Sequence, residues 1–302
     1  MKLAVRIERA IRRRWGIVRQ LHWPAEGVWR RTPDGLWMFL KPGDFFDECY
    51  AYASPDESYR QFMPLAVHPG DWGIDVGAQK GWYSMLLARG VGSAGHVLSV
   101  EPDPAAAELM RANLERNRCA NVTLVRAVAG EGEGDVEFVL NDFVGWSSRT
   151  PNALQRESEK ARVTLPMRPL DDMLAACAPP AGTRVTWVKI DVEGGEAGVL
   201  RGATRLLAAH APVLWMEVNP SSLEAANSSP AELGALLQGY GYQFWRGHVL
   251  ERWLRRPRVW FSPVARLADV TDEADVLCVP PSRPDLVSLL DRAHSAASPL
   301  RR

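Results

Sequence analysis

Cysteine is scarce and never paired in pattern: Cys49, Cys119, Cys177 and Cys278 are scattered, with no CxxC spacing. That excludes a zinc ribbon and a disulfide framework, and it fits a reducing, cytoplasmic setting. No apolar run approaches the roughly 20 residues of a membrane span. The N-terminal stretch MKLAVRIERAIRRRWGIVRQLHW carries arginines through its middle, so it lacks the unbroken apolar core of a signal peptide. Net charge is missing as well, since 36 Lys and Arg balance 36 Asp and Glu. A chain with no basic body is not expected to track nucleic acid. Internal repeats are absent too, as is a linker that would separate a second globular domain.

What is present is enough apolar residue for a proper core, 46% of 302 positions. From about residue 72, strand and helix patterns alternate. WGIDV, GHVLSVEPD, NVTLVRAVAG, RVTWVKIDVEG and APVLWMEVN read as buried strands. GWYSMLLARG, PAAAELMRANLERN, GEAGVLRGATRLLAAH and SPAELGALLQGYG read as helices between and after them. GDVEFVLND and RVTLPMRPL form a pair of shorter strands around a polar stretch, residues 147–162. YQFWRG and ADVLCVP close the sheet. Such alternation predicts an α/β fold with a mostly parallel sheet covered by helices on both faces. We divide the chain into an N-terminal extension (1–60, a basic helix plus short strands), a core domain (61–280) and a C-terminal helix and tail (281–302). The basic N-terminal helix is expected to pack on the domain, with weak membrane-surface association through its arginines as the alternative.

The stretch DWGIDVGAQKGWYS places Gly77 and Gly81 four apart between a strand and a helix, with Asp75 just ahead. A dinucleotide turn reads GxGxxG and closes on a pyrophosphate. A carboxylate at Asp75 repels a pyrophosphate, but suits a ligand bearing an ammonium or a sulfonium. Glu101, at the end of the second strand and followed by Pro102, is placed to accept both hydroxyls of a ribose. Together these residues point to S-adenosyl-L-methionine.

VKIDVEGGEAGVLRGA then delivers Asp191 and Glu193 to the end of a strand. Residues two apart on an extended chain face the same way, so the two acids converge where the transferred group should lie. They serve either as a general base for an accepting hydroxyl or as ligands for a hard divalent cation. The base reading is preferred, because a dedicated cation site usually needs more ligands. Glu217, ending the next strand, is a third acid for the same cleft; Glu196 is assigned to a helix face. Asp171 and Asp172 read as helix N-terminal residues, and His68 and His248 as lone histidines outside the chemistry.

DVGAQKGWYS, SVEPDP, RPLDDM, WVKIDVEGGEAGVLRGA and VLWMEVN stand in the order and spacing of the FkbM-type S-adenosylmethionine-dependent methyltransferases. The chain resembles that family over about residues 37–220. The resemblance implies the class I methyltransferase (Rossmann-like) fold and O-methylation of a sugar, glycan or natural-product acceptor. N- or C-methylation, or non-catalytic binding of the cofactor, are the alternatives. It implies a cofactor pocket of Asp75, Gly77, Ala78, Gly81, Trp82, Glu101, Pro102, Ala127 and Asp191, with Asp191 and Glu193 at the reaction centre. Gln79 departs from the family's usual asparagine. Trp82 and Trp146 are the tryptophans nearest the expected cleft, as platforms for a sugar ring.

Overall fold

The computed structural model describes residues 23–42, 45–52, 54–141, 147–151, 156–157, 159–250 and 257–297. The expected N-terminal helix, Trp146 and part of the 147–162 stretch lie outside them. The chain divides into two units, Met1–Ala53 and Ser54–Arg302. In the first, β1 (Val28–Arg31) and β2 (Trp37–Leu40) pair as an antiparallel hairpin, followed by α1 (Phe45–Tyr52). Leu36, Met38 and Leu40 are fully buried there, and Asp47 accepts the backbone N–H of Lys41 at 2.7 Å.

The second unit opens with α2 (Glu57–Ala66), whose N-cap Asp56 accepts the N–H of Tyr59 at 2.9 Å. In order follow β3 (Trp72–Val76), α3 (Trp82–Val91), β4 (His96–Val100), α4 (Pro104–Arg116), β5 (Val122–Val125), β6 (Val128–Ala129), β7 (Gly134–Asn141) and β8 (Glu159–Arg168). Then come α5 (Leu170–Ala176), β9 (Val185–Ile190), α6 (Glu196–Arg201), α7 (Thr204–His210), β10 (Val213–Val218), α8 (Pro220–Ala225) and α9 (Pro230–Gln238). The chain ends through β11 (Gln243–Leu250), β12 (Arg258–Val264), β13 (Ala274–Val279) and α10 (Pro284–Ala297). The main sheet runs β12-β11-β13-β10-β9-β3-β4-β5. β5, β4, β3, β9 and β10 are parallel, while β13 runs antiparallel between β10 and β11. With helices on both faces, this is the class I methyltransferase arrangement.

Its inner strands are apolar on both faces because both are covered: all five residues of β3 are buried. On one face, Tyr59 and Phe62 of α2 meet Trp187 and Trp215 from β9 and β10. The Tyr59 ring lies edge-on, 5.4 Å from Trp187 and 5.7 Å from Trp215. Several tryptophans are therefore core.

Several features differ from the sequence reading, among them the split of NVTLVRAVAG into β5 of the main sheet and β6 of a smaller one. GEAGVLRGATRLLAAH is two helices broken at Gly202, where a Cβ would lie 2.0 Å from the carbonyl oxygen of Gly130; close backbone approach, not helix continuity, decides that position. The strand pair β7–β8 joins β6 in a separate three-stranded sheet. α2 and β12 were not anticipated: α2 carries Pro64 inside a helix, and β12 carries Pro263 on an edge strand.

Candidate active site

The chain runs from β3 to β4 on one side and reaches β9 on the other, so the carboxyl ends of β3 and β9 flank the point where the winding reverses. Open α/β sheets bind ligands at such a crevice. Both strands end there on residues singled out from the sequence.

After β3, Gly77 takes φ +79° and Gly81 φ +86°, the left-handed region that glycine tolerates without strain. A Cβ at Gly77 would stand 1.8 Å from the carbonyl oxygen of Asp191, so this glycine lets the two strand exits touch. The N–H groups of Gly77 and Ala78 both donate to the Val100 carbonyl, at 2.9 and 3.0 Å. Behind the turn, Asp75 is fully buried. Its Oδ2 accepts from Ser84 Oγ, which in turn accepts from Ser99 Oγ at 2.8 Å. Oδ1 faces the Lys189 ammonium at 3.6 Å. Burial raises the Asp75 carboxyl, with Lys189 and Ser84 pulling the other way.

Glu101 sits just beyond β4 at 6% exposure. Its two oxygens accept the backbone N–H groups of Gln79 and Asp103, each at 2.7 Å. Burial nevertheless pushes this carboxyl up to about 7. Asp103 caps α4 and also accepts Ser147 Oγ at 2.9 Å, which brings the β7–β8 connection to the rim beside Glu101.

At the end of β9, Asp191 is partly exposed and its Oδ2 lies 3.2 Å from Lys189 Nζ. Glu193 follows with φ +55°, and Glu217 ends β10. One carboxylate oxygen from each of Asp191, Glu193 and Glu217 lies within 4.8 Å of the others. Such an all-oxygen set suits a hard divalent cation. Glu217 faces Asp275 across the antiparallel β10–β13 pair. Burial, then the charges of Asp191 and Glu193, push the Glu217 carboxyl well above its ordinary value. Among the described residues, its Oε2 accepts no hydrogen bond.

Asp75, Gly77, Gly81, Glu101, Asp191 and Glu193 thus converge on one crevice. Ala78, Trp82 and Ala127 expose 2% or less. Trp82 packs 4.8 Å from Tyr83 in the core and offers no platform, which corrects the expected aromatic role. Pro102 is half-buried beside Glu101. Glu196 is also corrected: it is 1% exposed, not on a helix face, and its Oε1 accepts the N–H groups of Val192 and Gly194 at 3.1 and 3.2 Å. Burial pushes it up to about 7. Asp171 accepts the N–H groups of Arg205 and Leu206 at the start of α7, both at 2.9 Å. His68 pairs with Asp71 at the opposite end of β3, and His248 stacks on Trp260 in the β11–β12 pair, 5.0 Å between centroids. Sequence reasoning missed Lys189, whose charge in the middle of an apolar strand pattern was the available signal.

Residues 75–244, more than half of the chain, match the methyltransferase FkbM domain model. Over 90 residues the chain is 34% identical to a probable cobalt-precorrin-6B C(15)-methyltransferase (decarboxylating) of Sulfolobus acidocaldarius, covering 30% of this chain and 47% of that protein. Over another 90-residue match it is 42% identical to a protein-L-isoaspartate O-methyltransferase of Methanothrix thermoacetophila, covering 30% of this chain and 41% of that one. The chain therefore spans less than half the length of these curated relatives. A crystal structure of a methyltransferase FkbM from Methylobacillus flagellatus KT is similar at 18% identity and a TM-score of 0.42, covering 72% of this chain and 50% of that one. The extent of the domain match makes this chain a member of the FkbM methyltransferase family.

Proposed function

We propose that the protein is an S-adenosylmethionine-dependent O-methyltransferase acting on a hydroxyl of a sugar, glycan or natural-product acceptor. The observation that carries the reading is the pairing of Asp191 with Gly77. The backbone carbonyl of Asp191, whose carboxylate is partly exposed, and the glycine turn meet at the reversal point, with Glu101 one strand away. This donor set fits the cofactor: acids beside the turn suit cationic groups, and Glu101 suits two ribose hydroxyls. When bound, S-adenosylmethionine supplies an electrophilic methyl group.

The chain's own residues do the rest. The Gly77–Gly81 turn and Glu101 orient the ligand, which removes translational and rotational freedom worth several kcal/mol. Asp191 takes the proton of the accepting hydroxyl as the new bond forms, a role typically worth about 10²–10⁴-fold. Glu193 holds the acceptor beside it. In this reading the step runs without a cation, with Asp191 as the base. The acids after β9 stand where enzymes that methylate nitrogen usually carry an NPPY-type turn, which favours oxygen as the acceptor atom.

The test is mass spectrometry and NMR on extracts of the producing cells incubated with the protein and methyl-labelled S-adenosylmethionine. A labelled O-methyl product supports the reading. A labelled N- or C-methyl product transfers it to the other acceptor class, the relatives including a C(15)-methyltransferase.

A further inference from the structure

We propose that Lys189 is a positioning residue that ties the cofactor turn to the reacting acid; the inference rests on the S-adenosylmethionine reading above. Lys189 is 2% exposed, next to the carboxyl end of β9. An ammonium has three N–H donors, and three acceptors surround this one. The Gly77 carbonyl oxygen lies at 2.8 Å, Asp191 Oδ2 at 3.2 Å and Asp75 Oδ1 at 3.6 Å. Nζ also lies 4.8 Å from the centre of the Tyr83 ring. The β3–β9 register sets Lys189 opposite Asp75, so one cation on β9 reaches the turn that leaves β3 and the acid that leaves β9.

Gly77 cannot be braced by a side chain of its own, because a Cβ there would collide with the Asp191 carbonyl oxygen at 1.8 Å. The lysine supplies the brace from the neighbouring strand. Burial pulls its pKa down, but Asp191 and Asp75 pull it up and win, so the group stays charged. Its charge faces Asp75 and Asp191 directly, with Glu217 and Asp275 of β10 and β13 farther off. Removing the charge does two separate things. It frees the Gly77 carbonyl, and it leaves the crevice one unit more negative. The first effect weakens every ligand of the turn. The second favours S-adenosylmethionine, which carries a sulfonium, over S-adenosylhomocysteine, which does not.

The experiment is isothermal titration of the parent, Lys189→Met, Asp75→Asn and the double variant with each of the two ligands, with thermal melts of all four. The double variant removes both members of the fully buried Lys189–Asp75 pair, and the carboxylate that loses its cation, Asp191, is partly exposed and can be solvated. We expect Lys189→Met to lose at least tenfold in affinity for S-adenosylhomocysteine. Its preference should shift at least threefold toward S-adenosylmethionine. The double variant should bind S-adenosylhomocysteine at least tenfold more weakly than Asp75→Asn while melting as a folded protein. If Lys189→Met binds both ligands like the parent or loses both by one factor, or if the double variant binds like Asp75→Asn, Lys189 only neutralises Asp75 and the proposal is overturned. A parent that binds neither ligand overturns the functional reading as well.

Discussion

Glu101 Oε2 accepts the backbone N–H of Gln79 at 2.7 Å, so the carboxylate that ends β4 also props the turn that leaves β3. In the proposed reading, ribose recognition and the shape of the glycine turn therefore share one side chain. Burial pushes the Glu101 carboxyl up to about 7, which brings its titration into the neutral range. Two hydroxyls donating to it favour the anion, so the bound-state pKa lies lower. Binding is then fully favourable above about pH 7 and weakens as pH falls below it. Affinity for S-adenosylhomocysteine should rise by up to about tenfold between pH 6 and pH 8. Glu101→Gln should bind on the order of tenfold to a hundredfold more weakly, with a flatter pH profile. An unchanged pH profile in that variant would remove Glu101 from the ribose.

Gly77→Ala should be badly tolerated. Its Cβ would meet backbone, which cannot rotate away, at a φ that disfavours any side chain. A loss of about 2–4 kcal/mol corresponds to a melting temperature lower by about 5–15 °C for a unit of this size. Gly132→Ala is the control, with nothing within 4 Å of the added Cβ and no left-handed φ; it should melt within about 2 °C of the parent.

Asp191→Asn should lower turnover by about 10²–10⁴-fold while affinity for S-adenosylhomocysteine stays within a few-fold, because the amide keeps the size but does not take a proton at neutral pH. Glu193→Gln should lower turnover less. Activity should survive EDTA. Inhibition by EDTA, reversed by Mg²⁺ or Mn²⁺, would instead make Asp191, Glu193 and Glu217 a cation site.

Stability should fall as pH rises across neutrality. The folded-state pKa of Glu196 is raised to about 7 by burial, so the fold prefers the protonated acid. That stabilisation is fully present below the unfolded value of 4.5 and is lost as pH climbs through about 7. Glu101, Glu217 and Asp275 are raised too and act in the same sense. Glu196→Gln keeps an oxygen for the Val192 and Gly194 N–H groups. It should flatten the decline in melting temperature between pH 5 and pH 8, by an amount of order 1–3 kcal/mol.

The parallel strands were legible because strands buried on both faces are nearly continuous apolar runs, and WGIDV and RVTWVKI read as such. The glycines and acids at their ends were legible from the same registration. Lys189 was not: its acceptors, Asp75 and the Gly77 carbonyl, lie on another strand far away in sequence. Glu217 was placed at the rim, but its position opposite Asp275 follows from an antiparallel register that no local pattern encodes. Glu196 was misread because a carboxylate in a first helical turn is ordinarily solvated, whereas this one folds back on the β9–α6 turn. Trp82 was misread because fold position alone does not say which side of α3 meets the core.

The most direct test of the whole account is isothermal titration of the purified protein with S-adenosylhomocysteine and, separately, with NAD. One-site binding of S-adenosylhomocysteine and no heat from NAD is the expected result, because buried Asp75 and the GxxxG turn disfavour a pyrophosphate. NAD binding with no response to S-adenosylhomocysteine would contradict it.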